Sequence, residues 1–470
     1  MKYRKAASAA AALLTAATVA TGVPSVAAAA PAPAPCAAPN MVKETLPNGT
    51  TWQLCWRMHD KAGLILEKVS IASKRNPQQT QVLESIRLAQ LNVPYDSGDT
   101  EYNDLTTFGF GGYSLQTLAG DDCKGGSARV GSDGSEEPER REVLCVSAEQ
   151  SGLAYRLRDD TDWENPTVLS KAGHDLVLRA ISKVGWYEYV TEYRLHDDGQ
   201  ISARLGATGD LAPGEYLNAD RGWPIGKGAR DFAAMHYHSA FWRVDFNIGG
   251  KGGEQVEQYD TKLDGQGSST ARLKTTRTAI AKEGTFSKVN QRWWRVVSPK
   301  SKNEDGHKRS YELVAGADDR YEGHPETKPD VTFTEKNLCE KWASDNAQDP
   351  ECPEGKRTII DFAKDRAKLT DPVMWVRVGF HHVPRDEDQS PMPLHWQGFD
   401  LLPRDFTSQN RLTPDARASV NGQAPEPPTD GGEPSVPPAT SEPSVPPVTS
   451  PPRPSPSSPS PSPSAASSQP

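Results

Sequence analysis

The run Asp175-Leu-Val-Leu-Arg-Ala-Ile-Ser-Lys-Val-Gly-Trp-Tyr-Glu-Tyr-Val-Thr-Glu-Tyr-Arg-Leu195 alternates in polarity on both sides of a central glycine. The segment Met374-Trp-Val-Arg-Val-Gly-Phe380 has the same period of two, and Gly, Asp or Pro residues bound these runs. Alternation of this kind predicts half-buried strands joined by turns. We therefore predict a mainly β chain, built as a large antiparallel β-sandwich.

Two stretches are exceptions to this pattern. Gln81–Leu91 and Phe333–Asp345 carry apolar residues at a helical spacing. We predict a helix in each.

The N-terminal residues 1–30 have the organisation of an export signal. The basic start Met1-Lys-Tyr-Arg-Lys5 precedes an Ala-rich apolar run and then small residues at Val26-Ala-Ala-Ala-Ala-Pro31. We predict secretion on this basis. The remaining chain has no stretch near the roughly 20 apolar residues of a spanning helix, so we expect no membrane span.

The C-terminal residues 425–470 have a composition unsuited to a core. They hold 17 of the 40 prolines and the near-repeats Glu433-Pro-Ser-Val-Pro-Pro-Ala-Thr-Ser441 and Glu442-Pro-Ser-Val-Pro-Pro-Val-Thr-Ser450. Such a segment favours a disordered, extended tail. We interpret the tail as a stalk or spacer. Whether it attaches the protein to the cell wall is left open by the sequence.

About 390 residues remain between the two ends, enough for one very large domain or two to three ordinary ones. The chain carries 53 Lys and Arg against 62 Asp and Glu, a net charge of -9. A nucleic-acid-binding protein needs a basic surface to neutralise phosphates. We therefore expect no nucleic-acid partner.

The six cysteines favour disulfides, because none lies in a Cys-x-x-Cys spacing and the predicted compartment is oxidising. Sequence proximity suggests three pairs: Cys36 with Cys55, Cys123 with Cys145, and Cys339 with Cys352. Fifteen pairings are possible for six cysteines, so proximity alone leaves the pattern open.

Two histidine segments are candidates for a metal site. In His236-Tyr-His238 the imidazoles are two residues apart, which places both on one face of a strand. Phe380-His-His382 supplies a further histidine on a second strand-like run. Imidazole ligands with an open position suit copper or zinc, whereas a wet polar strand face is the alternative.

The segment Gly379-Phe-His-His-Val-Pro-Arg-Asp-Glu-Asp-Gln-Ser-Pro-Met-Pro393 resembles the C-terminal copper motif of the copper-containing amine oxidases. In that motif a histidine precedes a hydrophobic residue, Pro, a Glu-Asp pair and Met-Pro. The resemblance implies that His382 binds copper together with His236 and His238, which look like the family's His-x-His pair.

The family makes a topaquinone from a tyrosine in an Asn-Tyr-Asp/Glu-Tyr motif. Here the matching residues are Trp186-Tyr-Glu-Tyr189, so the resemblance implies that Tyr187 is the quinone precursor. Trp186 departs from the pattern, because it stands where the family has asparagine. This departure puts the conversion of Tyr187 in question.

Two further segments extend the resemblance over most of the chain, and we predict a catalytic domain at 45–412. Leu91-Asn-Val-Pro-Tyr-Asp96 looks like the family's Val-Pro-Tyr-Gly-Asp segment, and Tyr102-Asn-Asp104 like its Tyr-x-Asp segment. The resemblance implies that Asp104 is the catalytic base. It also implies that Tyr102 gates the substrate channel, that Tyr95 hydrogen-bonds the quinone, and that Cys123 and Cys145 form a disulfide.

A second, calcium-like site is also implied by the resemblance. The family offers oxygen ligands to a hard cation at positions that match Asp245, Phe246, Asn247, Asp371 and Pro372. Asn247 stands where the family has an aspartate, which lowers the charge of the site. Acidic turn residues at strand ends are the alternative interpretation.

The function that the resemblance implies is a secreted, homodimeric, copper- and topaquinone-dependent primary amine oxidase. It would convert a primary amine, O2 and water into an aldehyde, hydrogen peroxide and ammonia. The alternative is a non-catalytic copper-binding or surface-interaction module of the same fold, in which Trp186 fills the old active site and Tyr187 stays a tyrosine.

Overall fold

Antiparallel strands account for most of the structure, a computed structural model that describes residues 36–96, 102–159, 164–212, 222–227, 231–264, 272–289, 291–316, 319–321, 323–347 and 355–413. The predicted export signal and the Pro-rich tail lie outside these residues. The strands are β1 Met41–Thr45, β2 Thr51–His59, β3 Gly63–Ala72, β4 Thr80–Val93, β5 Tyr102–Asn103, β6 Ser127–Ser132, β7 Arg140–Asp159, β8 Thr167–Val184, β9 Tyr187–His196, β10 Ile201–Gly209, β11 Trp223–Ile225, β12 Asp231–Ala233, β13 His236–Phe246, β14 Gln255–Asp264, β15 Arg272–Ile280, β16 Gly284–Phe286, β17 Trp293–Lys302, β18 Lys308–Ala315, β19 Val331–Glu335, β20 Pro372–His382 and β21 Met392–Arg404.

The helices in the described residues are short. The two α-helices are single turns, α1 Asp104–Thr107 and α2 Ile359–Phe362. Three 3-10 turns occupy Gly112–Ser114, Pro325–Thr327 and Asp386–Asp388.

Two large sheets contain nearly all of these strands. The first has the order β1-β2-β3-β4-β13-β20-β19-β16, with β5 added beside β4. The second has the order β15-β14-β17-β18-β21-β10-β9-β8-β7-β6, and β11 and β12 form a separate small hairpin. The neighbouring strands pair antiparallel, as the alternating sequence predicted.

The main hydrophobic core contains side chains from both large sheets. Trp242 of β13 meets Phe399 of β21 edge to face, with ring centroids 5.5 Å apart. Ile86 of β4 is fully buried in the same cluster as Tyr193 of β9 and Leu205 of β10. Burial of this apolar surface is the main stabilising contribution to a sandwich. The fold class expected from the sequence is confirmed.

The helix expected at Gln81–Leu91 is wrong, because these residues lie inside the central strand β4. Both faces of this strand are covered. Ile86 packs into the main core, and Ala89 packs into a second small cluster that includes Trp375. A strand buried on both faces is apolar at most positions, so its sequence can imitate a helical spacing.

The helix expected at Phe333–Asp345 is also wrong. Its first residues belong to β19, where Phe333 lies opposite Met374 of β20. The following residues form turns, and the Asn337 side chain accepts a hydrogen bond from the Cys339 backbone N–H at 2.9 Å. A side chain that bonds the backbone two residues on favours a turn over a helix.

Two of the expected disulfides are present. Cys36 is bonded to Cys55 and Cys123 to Cys145. Both pairings are therefore confirmed. Cys339 is also disulfide-bonded, whereas Cys352 lies outside the described residues.

The positions of the strand ends bring the candidate residues together. β13 begins at His236 and β20 ends at His382, and the antiparallel register places these two residues opposite each other. Pro384 follows β20 closely, and proline has no N–H to continue a ladder. β9 of the other sheet begins at Tyr187, so both sheets contribute to the site.

Candidate functional site

Three buried histidines converge at the ends of β13 and β20. The ring of His236 lies 4.9 Å from that of His238 and 4.7 Å from that of His382, measured between centroids. All three side chains are nearly inaccessible to solvent. The structure therefore brings together the three residues that the sequence indicated as metal ligands.

The hydrogen bonds of two of these histidines leave one bare nitrogen on each ring. His236 Nδ1 donates to the Ala234 carbonyl at 3.1 Å, which leaves Nε2 as an acceptor. His382 Nε2 donates to Asp388 Oδ2 at 3.0 Å, which leaves Nδ1 as an acceptor. The two bare nitrogens face each other at 3.2 Å. Two lone pairs at this distance repel unless a cation or proton lies between them.

His238 has no hydrogen-bond partner for either ring nitrogen among the described residues. A buried polar group without a partner is unfavourable by about 1–3 kcal/mol. Such a group in a native protein calls for a ligand. A metal ion held by His236, His238 and His382 would engage the bare nitrogens of His236 and His382 and one ring nitrogen of His238.

The protonation states also suit a metal. Burial, with a smaller effect of neighbouring His382, lowers the pKa of His236 to about 3. Burial likewise holds the pKa of His238 well below its ordinary value and lowers the pKa of His382. All three imidazoles are therefore neutral near pH 7, the form that binds a metal. An all-imidazole set fits copper or zinc.

Tyr187 lies beside this histidine cluster. Its side chain is buried, and its ring meets His236 and His238 edge to face with centroids 5.6 Å and 6.4 Å away. Tyr95 also packs against His236, with ring centroids 5.0 Å apart. Burial raises the pKa of Tyr95, with further contributions that include a hydrogen bond with Tyr187. The Tyr187 side chain thus contacts both the histidine cluster and a second tyrosine.

Asp104 lies at the start of α1 and is buried in the same region. The Tyr189 hydroxyl donates to Asp104 Oδ2 at 3.4 Å. Burial raises the pKa of Asp104 to about 8, although the hydrogen bond from Tyr189 acts in the opposite direction. A carboxyl group with this pKa can both take up and release a proton near neutral pH.

A cavity of about 250 Å³ connects these groups. The described residues that line it are Tyr95, Asp104, Phe108, Val184, Gly185, Trp186, Tyr187, Tyr189 and Ala212. Its wall is largely apolar and aromatic, and Asp104 supplies a carboxylate. This combination suits a small organic molecule that carries one polar reacting group.

Trp186 is an exposed residue among those that line this cavity. Gly185 and Trp186 are the two residues between β8 and β9, and Gly185 has φ +59°. A glycine with positive φ at the first position is typical of a two-residue type II′ hairpin turn. The turn directs Trp186 outward, so this residue is 51% exposed although it also lines the cavity.

Tyr102 is described only through its backbone, which pairs with Val93 at the edge of the first sheet. Its side chain lies outside what the structure describes. Its expected role as a gate therefore stays a prediction.

Two carboxylates of the expected calcium-like site, those of Asp245 and Asp371, lie close to the same lysine. Asp245 is buried, and its Oδ2 lies 3.0 Å from Lys336 Nζ. The same ammonium is 3.9 Å from Asp371 Oδ2. Lys336 therefore already places a positive charge between the two carboxylates.

The other three residues of that site contribute differently. Phe246 and Pro372 lie at the end of β13 and the start of β20. Asn247 uses its side-chain oxygen to accept from the Gly252 N–H at 3.1 Å and its amide to donate to Glu84 at 3.2 Å. The Asn247 side chain is thus engaged within the protein.

Sequence reasoning did not single out Asp388 and His395. Asp388 lay within the quoted copper motif but had no assigned role, and His395 on β21 gave no signal. Asp388 accepts from both His382 at 3.0 Å and His395 at 3.1 Å. Burial alone would raise the pKa of Asp388, but the hydrogen bonds from His382 and from the Arg385 backbone act against it, and the pKa is lowered.

Comparison with known proteins shows the family of this chain. Residues 43–421 match the family described as copper amine oxidase, enzyme domain. The chain therefore belongs to the copper amine oxidase family.

Individual relatives share only about a quarter of their aligned residues with this chain. Primary amine oxidase 2 of Arabidopsis thaliana is 28% identical over 396 residues, 76% of this chain and 57% of the relative. The primary amine oxidase of Arthrobacter sp. (strain P1) is 25% identical over 376 residues, 74% of this chain and 57% of the relative. The chain thus spans just over half the length of these curated relatives.

Solved structures of the family share the fold. A copper-containing benzylamine oxidase from Hansenula polymorpha superimposes with a TM-score of 0.65 at 20% identity, covering 79% of this chain and 62% of that chain. An amine oxidase from Aspergillus nidulans gives a TM-score of 0.63 at 21% identity, covering 84% of this chain and 56% of that chain. At these identities the likeness concerns the fold alone.

None of the described helices has the length and apolarity needed to cross a membrane.

Proposed function

We propose that this chain is a primary amine oxidase that uses copper and a quinone formed from Tyr187, releasing an aldehyde, ammonia and hydrogen peroxide. The observation that carries the proposal is the position of Tyr187 between three metal-competent histidines and a cavity that contains Asp104. A tyrosine beside a metal site can be modified there, and the cavity gives an amine access to it.

In this proposal His236, His238 and His382 hold the copper. Copper with O2 supplies the oxidation of Tyr187, and the resulting quinone supplies a carbonyl that withdraws electrons from a bound amine. The ligands are neutral and buried, which favours metal binding over protonation.

Asp104 acts as the general base. It takes a proton from the carbon next to the amine nitrogen, a step that needs a carboxylate with a pKa near the working pH. Burial raises the pKa of Asp104 to about 8, which fits this task. The Tyr189 hydroxyl orients the carboxylate through its hydrogen bond at 3.4 Å.

Two tyrosines complete the proposed site. Tyr95 lies beside Tyr187 and donates a hydrogen bond to an oxygen of the quinone, because burial keeps the Tyr95 phenol protonated by raising its pKa. Tyr102 gates the substrate channel, an assignment that rests on the family motif. Trp186 forms the mouth of the cavity and contacts the part of the amine that projects beyond it.

The remaining features are proposed at the level of the family. We propose secretion through residues 1–30, a homodimer, and a tail at 425–470 that extends from the catalytic domain at 45–412. Calcium binding at Asp245 and Asp371 would require displacement of the Lys336 ammonium.

The experiment that tests the function is mass spectrometry of the Tyr187 peptide after copper loading in air. A gain of two oxygens and a loss of two hydrogens on Tyr187, together with a quinone redox stain, is expected. Peroxide release with a panel of primary amines then measures activity. An unmodified Tyr187 in copper-replete protein would refute the oxidase and favour the non-catalytic, copper-binding alternative.

A further inference from the structure

A buried carboxylate connects a proposed copper ligand to a histidine of the opposite sheet. Asp388 is fully buried and receives His382 Nε2–H on Oδ2 at 3.0 Å and His395 Nε2–H on Oδ1 at 3.1 Å. The Arg385 backbone N–H donates to Oδ2 at 3.0 Å and the Arg385 Nε to Oδ1 at 3.5 Å. Both oxygens of Asp388 are therefore saturated by donors.

The two histidines belong to different sheets. His382 ends β20 in the first sheet, whereas His395 lies in β21 of the second sheet. His395 pairs with Ala207 of β10, and the next strand beyond β10 is β9, which begins at Tyr187. Asp388 thus ties the sheet of the metal ligands to the sheet of the tyrosine that is to be modified.

The Asp388 contacts matter because the proposed chemistry requires Tyr187 and the copper ligands to keep a fixed relative position. Tyr187 and the three imidazoles sit on opposite sheets, and among the described strands no backbone hydrogen-bond ladder joins those sheets. A displacement of about 1 Å between reacting groups can lower a rate by about 100-fold. Groups that hold a ligand by hydrogen bonds fix both its tautomer and its position.

We propose that His395 is a positioning residue of the copper centre. Through Asp388 it keeps His382 in the tautomer whose Nδ1 faces His236 Nε2, and it holds that nitrogen in place relative to Tyr187. The proposal rests on the copper site of the proposed function and adds a residue that the copper motif itself does not contain.

The ring of Phe380 also helps to fix His382 and His395 in these positions. Phe380 lies 5.7 Å from His382 and 5.1 Å from His395 between ring centroids, so it packs against both imidazoles. The rings of the two histidines are 4.8 Å apart. His395 is therefore confined, and its donor is directed at Asp388.

The test compares His395→Ala, His395→Gln and the control His196→Ala in the full chain. His196 lies in the same sheet as His395 and makes a similar contact, Nδ1 to Asp175 Oδ1 at 2.8 Å, but it is not part of the histidine cluster. Copper affinity is measured by chelator competition, the Cu(II) site by electron paramagnetic resonance, and the fold by thermal melting of the metal-free protein.

We expect His395→Ala to weaken copper binding by about 10–100-fold and to change the Cu(II) spectrum. We expect His395→Gln, which can still donate to Asp388, to restore both properties to within about threefold of the wild type. His196→Ala should leave both unchanged, and the slower oxidation of Tyr187 in His395→Ala should follow the loss of affinity.

Wild-type affinity and an unchanged spectrum in a folded His395→Ala protein would overturn the proposal. So would binding of a second equivalent of copper or zinc that requires His395, because Asp388 and His395 would then be ligands. Failure of the wild-type protein to bind copper would instead refute the proposed function. If His395→Ala does not fold, the comparison of His395→Gln with the nonpolar His395→Leu decides between the outcomes.

Discussion

Trp186 and Tyr187 are adjacent in the sequence but opposite in environment: the Trp186 side chain is 51% exposed, whereas that of Tyr187 is 6% exposed. The two-residue turn at Gly185 produces this contrast, since it ends β8, directs Trp186 outward and starts β9 with Tyr187 facing the core. The tryptophan at this position is therefore half-exposed and lines the cavity beside Tyr187 without being buried in it.

The exposure of Trp186 leads to a prediction about substrates. We expect Trp186→Ala to lower kcat/KM for 2-phenylethylamine by about 3- to 10-fold, because an aromatic contact contributes about 0.5–1.5 kcal/mol. Methylamine is too short to reach the mouth, so its kcat/KM should stay within twofold as an internal control. Steady-state peroxide assays measure both. An equal change for the two amines would show that Trp186 acts on the chemistry instead.

Asp104→Asn tests the proposed base. We expect kcat/KM to fall by about 100- to 10,000-fold, because an amide cannot accept the proton. The Tyr187 mass shift should be retained, since Asp104 has no contact with the histidine cluster among the described residues. In the wild type, kcat/KM should rise with pH through the region near 8, where the pKa of Asp104 lies. A wild-type acid limb near pH 4 would contradict this assignment.

The same residue predicts how stability changes with pH. Burial raises the folded-state pKa of Asp104 to about 8, above its value of 3.8 in an unfolded chain. Between these values the folded state binds more protons than the unfolded state, so the free energy of unfolding falls as pH rises, by up to about 1.4 kcal/mol per pH unit. Metal-free wild type should therefore lose more stability between pH 5 and 8 than Asp104→Asn, as measured by urea unfolding. Parallel pH profiles for the two proteins would count against a raised pKa.

His238→Ala tests the metal site. This histidine is buried without a hydrogen-bond partner among the described residues, so its role is expected to be ligation. We expect loss of stoichiometric copper and of Tyr187 modification, while the metal-free protein still folds. The exposed His307 provides the control, and His307→Ala should bind copper normally. Elemental analysis after dialysis measures the metal, and full copper content in His238→Ala would exclude this ligand set.

Lys336→Met tests the charge between Asp245 and Asp371. Removal of the ammonium leaves the buried Asp245 carboxylate with a weaker partner, Arg243, at 3.4 Å. We expect a loss of about 1–3 kcal/mol, less than for a fully buried pair because Lys336 is partly exposed. Millimolar calcium should restore much of the melting temperature of the variant and have little effect on the wild type. Equal calcium effects on both proteins would show that Lys336 does not occupy the cation position.

Several features of the fold and site were predictable because they depend on local pattern. The alternation through β8, β9 and β20 correctly indicated strands, since a period of two places side chains on two faces. The His236 and His238 spacing correctly placed both rings on one strand face. The helix expected at Gln81–Leu91 was wrong because its second face is covered by residues distant in sequence.

Other parts of the site depended on contacts that local pattern does not contain. Tyr189 reaches Asp104 across a separation of 85 residues, and Lys336 reaches Asp245 from another loop. His395 gave no motif, because its links to the metal site are tertiary contacts, a hydrogen bond to Asp388 and a ring contact with His382. Such partners emerge only in the folded chain.

The sequence by itself determined the β class through its alternation, and its resemblance to the family indicated the copper motif and the candidate tyrosine. Only the tertiary structure decided that the bare nitrogens of His236 and His382 face each other, that Trp186 is half-exposed beside the cavity, and that Asp388 joins the two sheets. The physical reason is that burial, tautomer and charge pairing are properties of packed neighbours, and packing brings together residues that the chain keeps far apart.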